Sequence, residues 1–161
     1  MKKILLTFLI SFPLISHGQS IESDKVDQFN GNRDIKTKFV SLNGDFKIQL
    51  AAIASKTDTT FAMNFYFPTD VTSVDDRSGV AFKLSDSSVL DFPYLGDYEL
   101  CSRHRLCNIY IALNRNDLEN FLNGRVLIIR IKTSSKVLDF DIKEKQAQKI
   151  NALINLLLEQ L

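Results

Sequence analysis

Val126-Leu127-Ile128-Ile129-Arg130-Ile131-Lys132-Thr133-Ser134-Ser135-Lys136-Val137-Leu138-Asp139-Phe140-Asp141-Ile142 reads as a β-hairpin. Leu127, Ile129 and Ile131 fall on one face, and Leu138, Phe140 and Ile142 form the matching face beyond the turn at Thr133 to Lys136. That period of two marks strands with one buried side. Val126 and Ile128 are apolar as well, which predicts a central strand covered on both faces. Arg130 interrupts the second face. Hairpin parity puts it on the side of Asp139 and Asp141: a Ser134-Ser135 turn sets it opposite Asp139, a Ser135-Lys136 turn opposite Asp141. Either carboxylate would offset the cost of holding a guanidinium against a partly covered sheet. A structural ion pair is therefore expected of Arg130, in preference to an anion receptor.

Helices flank this hairpin. After it, from about Glu144 to the C-terminus, Ala147, Ile150, Ile154, Leu157, Leu158 and Leu161 recur at helical spacing, opposite Lys145, Gln148, Asn155 and Glu159. Such a stripe predicts a helix packed on the body of the domain. Before it, Asn114 is placed to cap a short helix, with Asp117 at the third helical position. Leu113 and Leu118 can staple its entry, and Asn123-Gly124 ends it. Further upstream, the alternating sets Phe46/Ile48/Leu50, Phe61/Met63/Phe65/Phe67, Val80/Phe82/Leu84 and Ile109/Ile111/Leu113 predict strands. Asn43-Gly44-Asp45, Lys56-Thr57-Asp58, Asp75 to Gly79 and Gly96-Asp97 supply the turns between them. The fold class expected is α+β: an antiparallel sheet or incomplete sandwich packed by a C-terminal amphipathic helix, with a short helix before the last hairpin.

The N-terminus has the form of a secretory signal: Lys2 and Lys3, then an apolar run from Ile4 to Ile15, then Ser16-His17-Gly18 before Gln19. The run is short of the ~20 residues of a membrane-spanning helix, so no span is expected after cleavage. Residues 1–18 are read as the signal, 19–32 as an irregular lead-in, and 33–161 as a single domain. The leader carries two lysines and no acid, so its removal takes the formal charge from +1 to −1. This balance lacks the basic footprint of a nucleic-acid binder. A periplasmic or secreted location follows.

Export also bears on Cys101-Ser102-Arg103-His104-Arg105-Leu106-Cys107. A Cys101–Cys107 disulfide suits an oxidising compartment. Free thiols are a second reading. As a metal site the segment offers only three ligands where structural zinc takes four, and a nucleophilic thiolate beside His104 is disfavoured by oxidation. Arg103, His104 and Arg105 could instead attract an anionic ligand, although a solvated loop is the commoner use of so short a cluster. Tyr94 and Tyr98, in Asp91-Phe92-Pro93-Tyr94-Leu95-Gly96-Asp97-Tyr98, suit either a contact loop or a loop folded over the end of the sheet. No phosphate-binding loop, dinucleotide fingerprint, zinc-protease motif or nucleophile elbow occurs, so no catalytic residue, cofactor or metal is assigned.

Asp27-Gln28-Phe29-Asn30-Gly31 with Ile35 and Thr37, and Leu113 to Phe121 leading into Val126 to Ile131, resemble small exported proteins of Gram-negative bacteria that lack an assigned activity. The resemblance implies a strand-rich domain with a closing helix and transfers no catalytic residue. The expectation is a non-catalytic binding or interaction module of the bacterial envelope, with an unknown envelope protein or small ligand as partner. The alternative is a small hydrolase using acidic residues or His104 in a cleft.

Overall fold

Alternation is strongest in Phe46 to Ala54 and Thr59 to Pro68, and these residues form the two longest strands, β4 (Phe46–Ala54) and β5 (Thr59–Pro68). The computed structural model describes residues 20–70, 73–101 and 106–161. The signal segment and its cut before Gln19 lie outside them. The remaining strands are β1 (Ile21–Val26), β2 (Arg33–Thr37), β3 (Val40–Asn43), β6 (Ser73–Asp75), β7 (Gly79–Leu84), β8 (Val89–Pro93), β9 (Tyr98–Leu100), β10 (Leu106–Leu113), β11 (Val126–Lys132) and β12 (Val137–Asp141). The helices are α1 (Arg115–Asn123) and α2 (Glu144–Leu158).

The strands form a six-stranded sheet in the order β1-β2-β4-β5-β10, with β3 also beside β4, a four-stranded sheet β12-β11-β7-β8, and a small ribbon β6-β9. Every pairing is antiparallel. The inner faces of the two larger sheets meet through aromatic rings. Phe46 stacks on Phe140 with centroids 4.1 Å apart, Phe65 lies 5.9 Å from Phe82, and Phe82 lies 4.7 Å edge-on to Phe121 of α1. The inward set of β5, Phe61, Met63, Phe65 and Phe67, is almost wholly removed from solvent. The C-terminal helix packs on β2, β3 and β4 through Ala147, Ile150, Leu153, Ile154 and Leu157. The fold is thus α+β, with open antiparallel sheets and a closing C-terminal helix.

The short helix starts as its sequence dictates. Asn114 Oδ1 accepts from Asp117 N (3.0 Å) and Asp117 Oδ2 accepts from Asn114 N (2.8 Å), a reciprocal capping box. Leu113 and Leu118 are both buried beside it.

Four expectations are corrected. The lead-in is not irregular throughout, because Ile21–Val26 pairs with β2. It is an edge strand with mostly exposed side chains, so no apolar period announces it. Its hairpin is held instead by Asp27 Oδ1, which accepts from Phe29 N and Asn30 N, and by Gly31 at φ +74°. Second, β11 is central in strand order, yet only one of its faces is covered: Ile128 is half-buried and Arg130 exposed. Val126 is buried because a bulge between Val126 and Ile128 turns it to the core side. Third, Asp91-Phe92-Pro93 and Tyr98 belong to strands β8 and β9 and not to one loop. Fourth, α2 stops at Leu158. Leu161 is exposed, and Leu153 joins the buried stripe.

Candidate binding face

The residues singled out by sequence do not converge on one place. Cys101 and Cys107 are joined as a disulfide with their Cα atoms 4.5 Å apart, Cys107 being buried near the start of β10. Arg103, His104 and Arg105 lie outside the described residues. Tyr94 is buried, its ring edge-on to Tyr110 at 5.3 Å, so it serves packing and not the surface contact considered for it. Tyr98 is exposed. On the small sheet, Arg130 Nε and Nη2 donate to the two oxygens of Asp139, each at 2.7 Å. This matches the Ser134-Ser135 turn, with Arg130 opposite Asp139. Asp141 takes no share in that ion pair, because the same register sets it opposite Ile128.

The outer face of the six-stranded sheet is a different matter. The residues alternate with the buried ones, so strand register arranges them in rows that run across the strands. Lys36, Ala51, Ala62 and Ala112 form one row over β2, β4, β5 and β10. Asp34, Ile53 and Thr60 form the row on one side of it, and Gln49, Asn64 and Tyr110 the row on the other. Beyond the latter, Lys47, Tyr66 and Asn108 make a further row. Alanine leaves the middle row low between taller neighbours. The result is a hollow of about 490 Å³ lined by Ala51, Ala62 and these flanking side chains. Ala51 and Ala62 floor the hollow and Ala112 continues their row; with adjacent strands about 4.8 Å apart, the row of three is roughly 10 Å long. Ile53 and Gln49 stand four residues apart on β4, which makes the trough about 13 Å from wall to wall.

The bulge that separates β2 from β3 builds one end of this face. The register against β4 slips by one residue between Lys36 and Val40. Thr37 Oγ1 accepts from Leu50 N (3.0 Å), and Gln49 Nε2 donates to Thr37 O (2.8 Å) and to Glu22 Oε2 (2.6 Å). Gln49 is thereby fixed as a wall. Phe39, at the bulge, sets its ring 6.4 Å from that of Tyr66, and Lys47 Nζ lies 5.9 Å from the centre of the Tyr66 ring.

Three buried side-chain oxygens among the described residues have no hydrogen-bond donor: Asp34 Oδ1, Asn64 Oδ1 and Asn108 Oδ1. All three belong to this outer face. A buried polar group left unsatisfied costs about 1–3 kcal/mol, and such groups are few in native proteins. Two of them, on Asp34 and Asn64, line the trough, and this sets the face apart; Asn108 lies one row beyond the wall. The outer face of the small sheet also has a hollow, of about 460 Å³ over Ala81, Lys83, Ile128 and Arg130. That hollow is lined by two cations, Lys83 and Arg130, the latter paired with Asp139, and by none of the three donor-less oxygens.

Among the described residues, the carboxyl groups with displaced pKa values are all shifted downward. Asp24 and Asp139 are held below the usual carboxylate range chiefly by hydrogen bonds from Arg33 and Arg130, Asp75 by one from Arg77, and Asp86 by one from the Ser88 hydroxyl. Each stays an anion near neutrality, the opposite of what a proton-donating acid requires.

Sequence reading missed the trough because it followed the buried parity of each strand. A signal was present in the other parity. Outward positions of a solvated sheet normally carry charge, whereas those of β4, β5 and β10 read Lys47-Gln49-Ala51-Ile53, Thr60-Ala62-Asn64-Tyr66 and Asn108-Tyr110-Ala112, with a single charge. Only the register shows that the three alanines lie side by side. No protein-family model, curated protein or solved structure matches the chain.

Proposed function

We propose that this protein is an exported, non-catalytic binding module of the bacterial envelope, and that the outer face of the six-stranded sheet is where it binds. The observation that carries the reading is the coincidence of the alanine trough with the donor-less oxygens of Asp34 and Asn64, two of the residues that line it. Binding sites are concave, largely apolar, and set with a few convergent polar groups. This face has that composition, and its unpaired acceptors are groups that a ligand can satisfy. The Cys101–Cys107 disulfide favours a compartment outside the cytoplasm. The signal-like N-terminus and the resemblance to small exported bacterial proteins point the same way, to the periplasm or the cell exterior. Among the described residues, no helix is long and apolar enough to cross a membrane.

Binding is favoured over hydrolysis at this face because a carboxylate-pair mechanism needs two facing acids, and the trough is lined by one, Asp34. The test is amide-shift mapping by NMR of the labelled, disulfide-bonded protein against a soluble enzymatic digest of bacterial envelope. Shifts concentrated on β4, β5 and β10 are expected. Shifts confined to the small sheet, or none, would overturn the reading.

A further inference from the structure

We infer that the trough takes a neutral glycan, laid across the strands with a sugar ring over Ala51, Ala62 and Ala112. This rests on the outer face being the binding face, and it adds the chemical class of the ligand.

Complementarity selects that class by elimination and by fit. Over β4, β5 and β10 the outward side chains include one charge, Lys47, set against the Tyr66 ring, and at the β2 end of the trough Lys36 and Asp34 offset each other as an ion pair at 3.2 Å. An anionic polymer would need several exposed cations in register with its charges. A peptide that adds itself to a sheet pairs with a free edge, whereas the floor residues Ala51 and Ala62 face each other on strands paired on both sides. Over Ala51 and Ala62 recognition must therefore run through side chains, the edge of the terminal strand β10 lying beyond them. Those side chains are amides and a carboxylate with unfilled acceptors, alternating with methyl groups and the half-buried ring of Tyr110.

A sugar matches both halves. Its hydroxyls are donors placed around a ring, and the C–H groups of the ring's flat faces pack on methyls and on the electron-rich face of an aromatic. Asn64, which lines the trough, holds its oxygen away from water in the free protein. Because χ2 of asparagine is a broad torsion, the amide can turn that oxygen toward a ligand hydroxyl. The trough is also of the right size: a length of roughly 10 Å, set by strand spacing, admits a short run of sugar rings.

The experiment titrates the exported, disulfide-bonded protein with tetra-N-acetylchitotetraose and with cellotetraose, using tetragalacturonate as the charged comparator. Saturable binding of at least one neutral probe is expected, with shifts on β4, β5 and β10. Asn64→Leu should weaken it by roughly tenfold, the usual consequence of losing one good hydrogen bond in a desolvated site. Ala112→Glu, at an exposed position where folding is not at stake, should weaken it by at least as much. Lys83→Gln, on the outer face of the small sheet, should leave the affinity unchanged. Preference for tetragalacturonate, or binding that survives both trough substitutions, would overturn the inference. If no oligosaccharide binds while the envelope digest still shifts the outer face, the glycan assignment fails and the binding face stands. If neither shifts it, both fail.

Discussion

Gly79 has no room for a side chain. A Cβ at this position would lie 2.6 Å from the carbonyl oxygen of Phe92 on the adjoining strand, and that oxygen is backbone and cannot turn aside. Gly79→Ala should therefore push β7 and β8 apart and cost roughly 1–3 kcal/mol, the range typical of overpacking, measured by urea denaturation. Unchanged stability would mean that the two strands are less closely paired than described. The Arg130–Asp139 pair gives a pH signature at the same scale. Hydrogen bonding to Arg130 lowers the Asp139 carboxyl below its ordinary value of 3.8. A depressed folded-state pKa contributes stability above the unfolded value and loses it as pH falls through the folded one. Asp139→Asn should thus be slightly less stable than the parent near neutrality, with the gap closing below about pH 4. The effect should be small because both partners are half-exposed. A gap that is constant with pH would assign the loss to something other than this pair.

Among the elements, those whose sequence carries a local rule were the legible ones. The short helix is the clearest case, since Asn114 and Asp117 satisfy each other's backbone N–H groups as their spacing predicts. Asn114→Ala should cost about 1 kcal/mol in chemical denaturation, and Asn114→Ser should restore most of it. Equal stability for all three would remove the cap from the account of this helix. The strands with an apolar inner parity, β4, β5, β7, β10, β11 and β12, were legible for the same reason. In contrast, β1 was not, because its stability comes from backbone pairing, the Arg33–Asp24 pair and an Asp27 turn, none of which leaves a periodic trace. The second face of β11 was misjudged because Val126 owes its burial to a bulge, and a bulge changes parity without changing composition. The trough was illegible for a related reason: Ala51, Ala62 and Ala112 are far apart in the chain, and only long-range register sets them abreast.

At the scale of the whole described fold, the two larger sheets share an aromatic core, and the face proposed for binding is the one turned away from it. The disulfide lies at the start of β10, whose ladder with β5 runs unbroken from Leu106 to Leu113. Cys101→Ser/Cys107→Ser should therefore lower stability by about 2 kcal/mol, as expected for so short a closed loop, without changing the position of β10. A matched mass-spectrometric comparison with and without reductant tests the bond itself, and identical masses would refute it. The larger issue is why a stable domain keeps three oxygens without donors on its outer face. If they await sugar hydroxyls, intermolecular NOEs should connect the ring protons of bound tetra-N-acetylchitotetraose or cellotetraose to the methyl groups of Ala51, Ala62 and Ala112. NOEs that run instead to Ala81, Val89 and Ile128 of the small sheet, or that are absent from a saturated complex, would contradict a glycan in the trough.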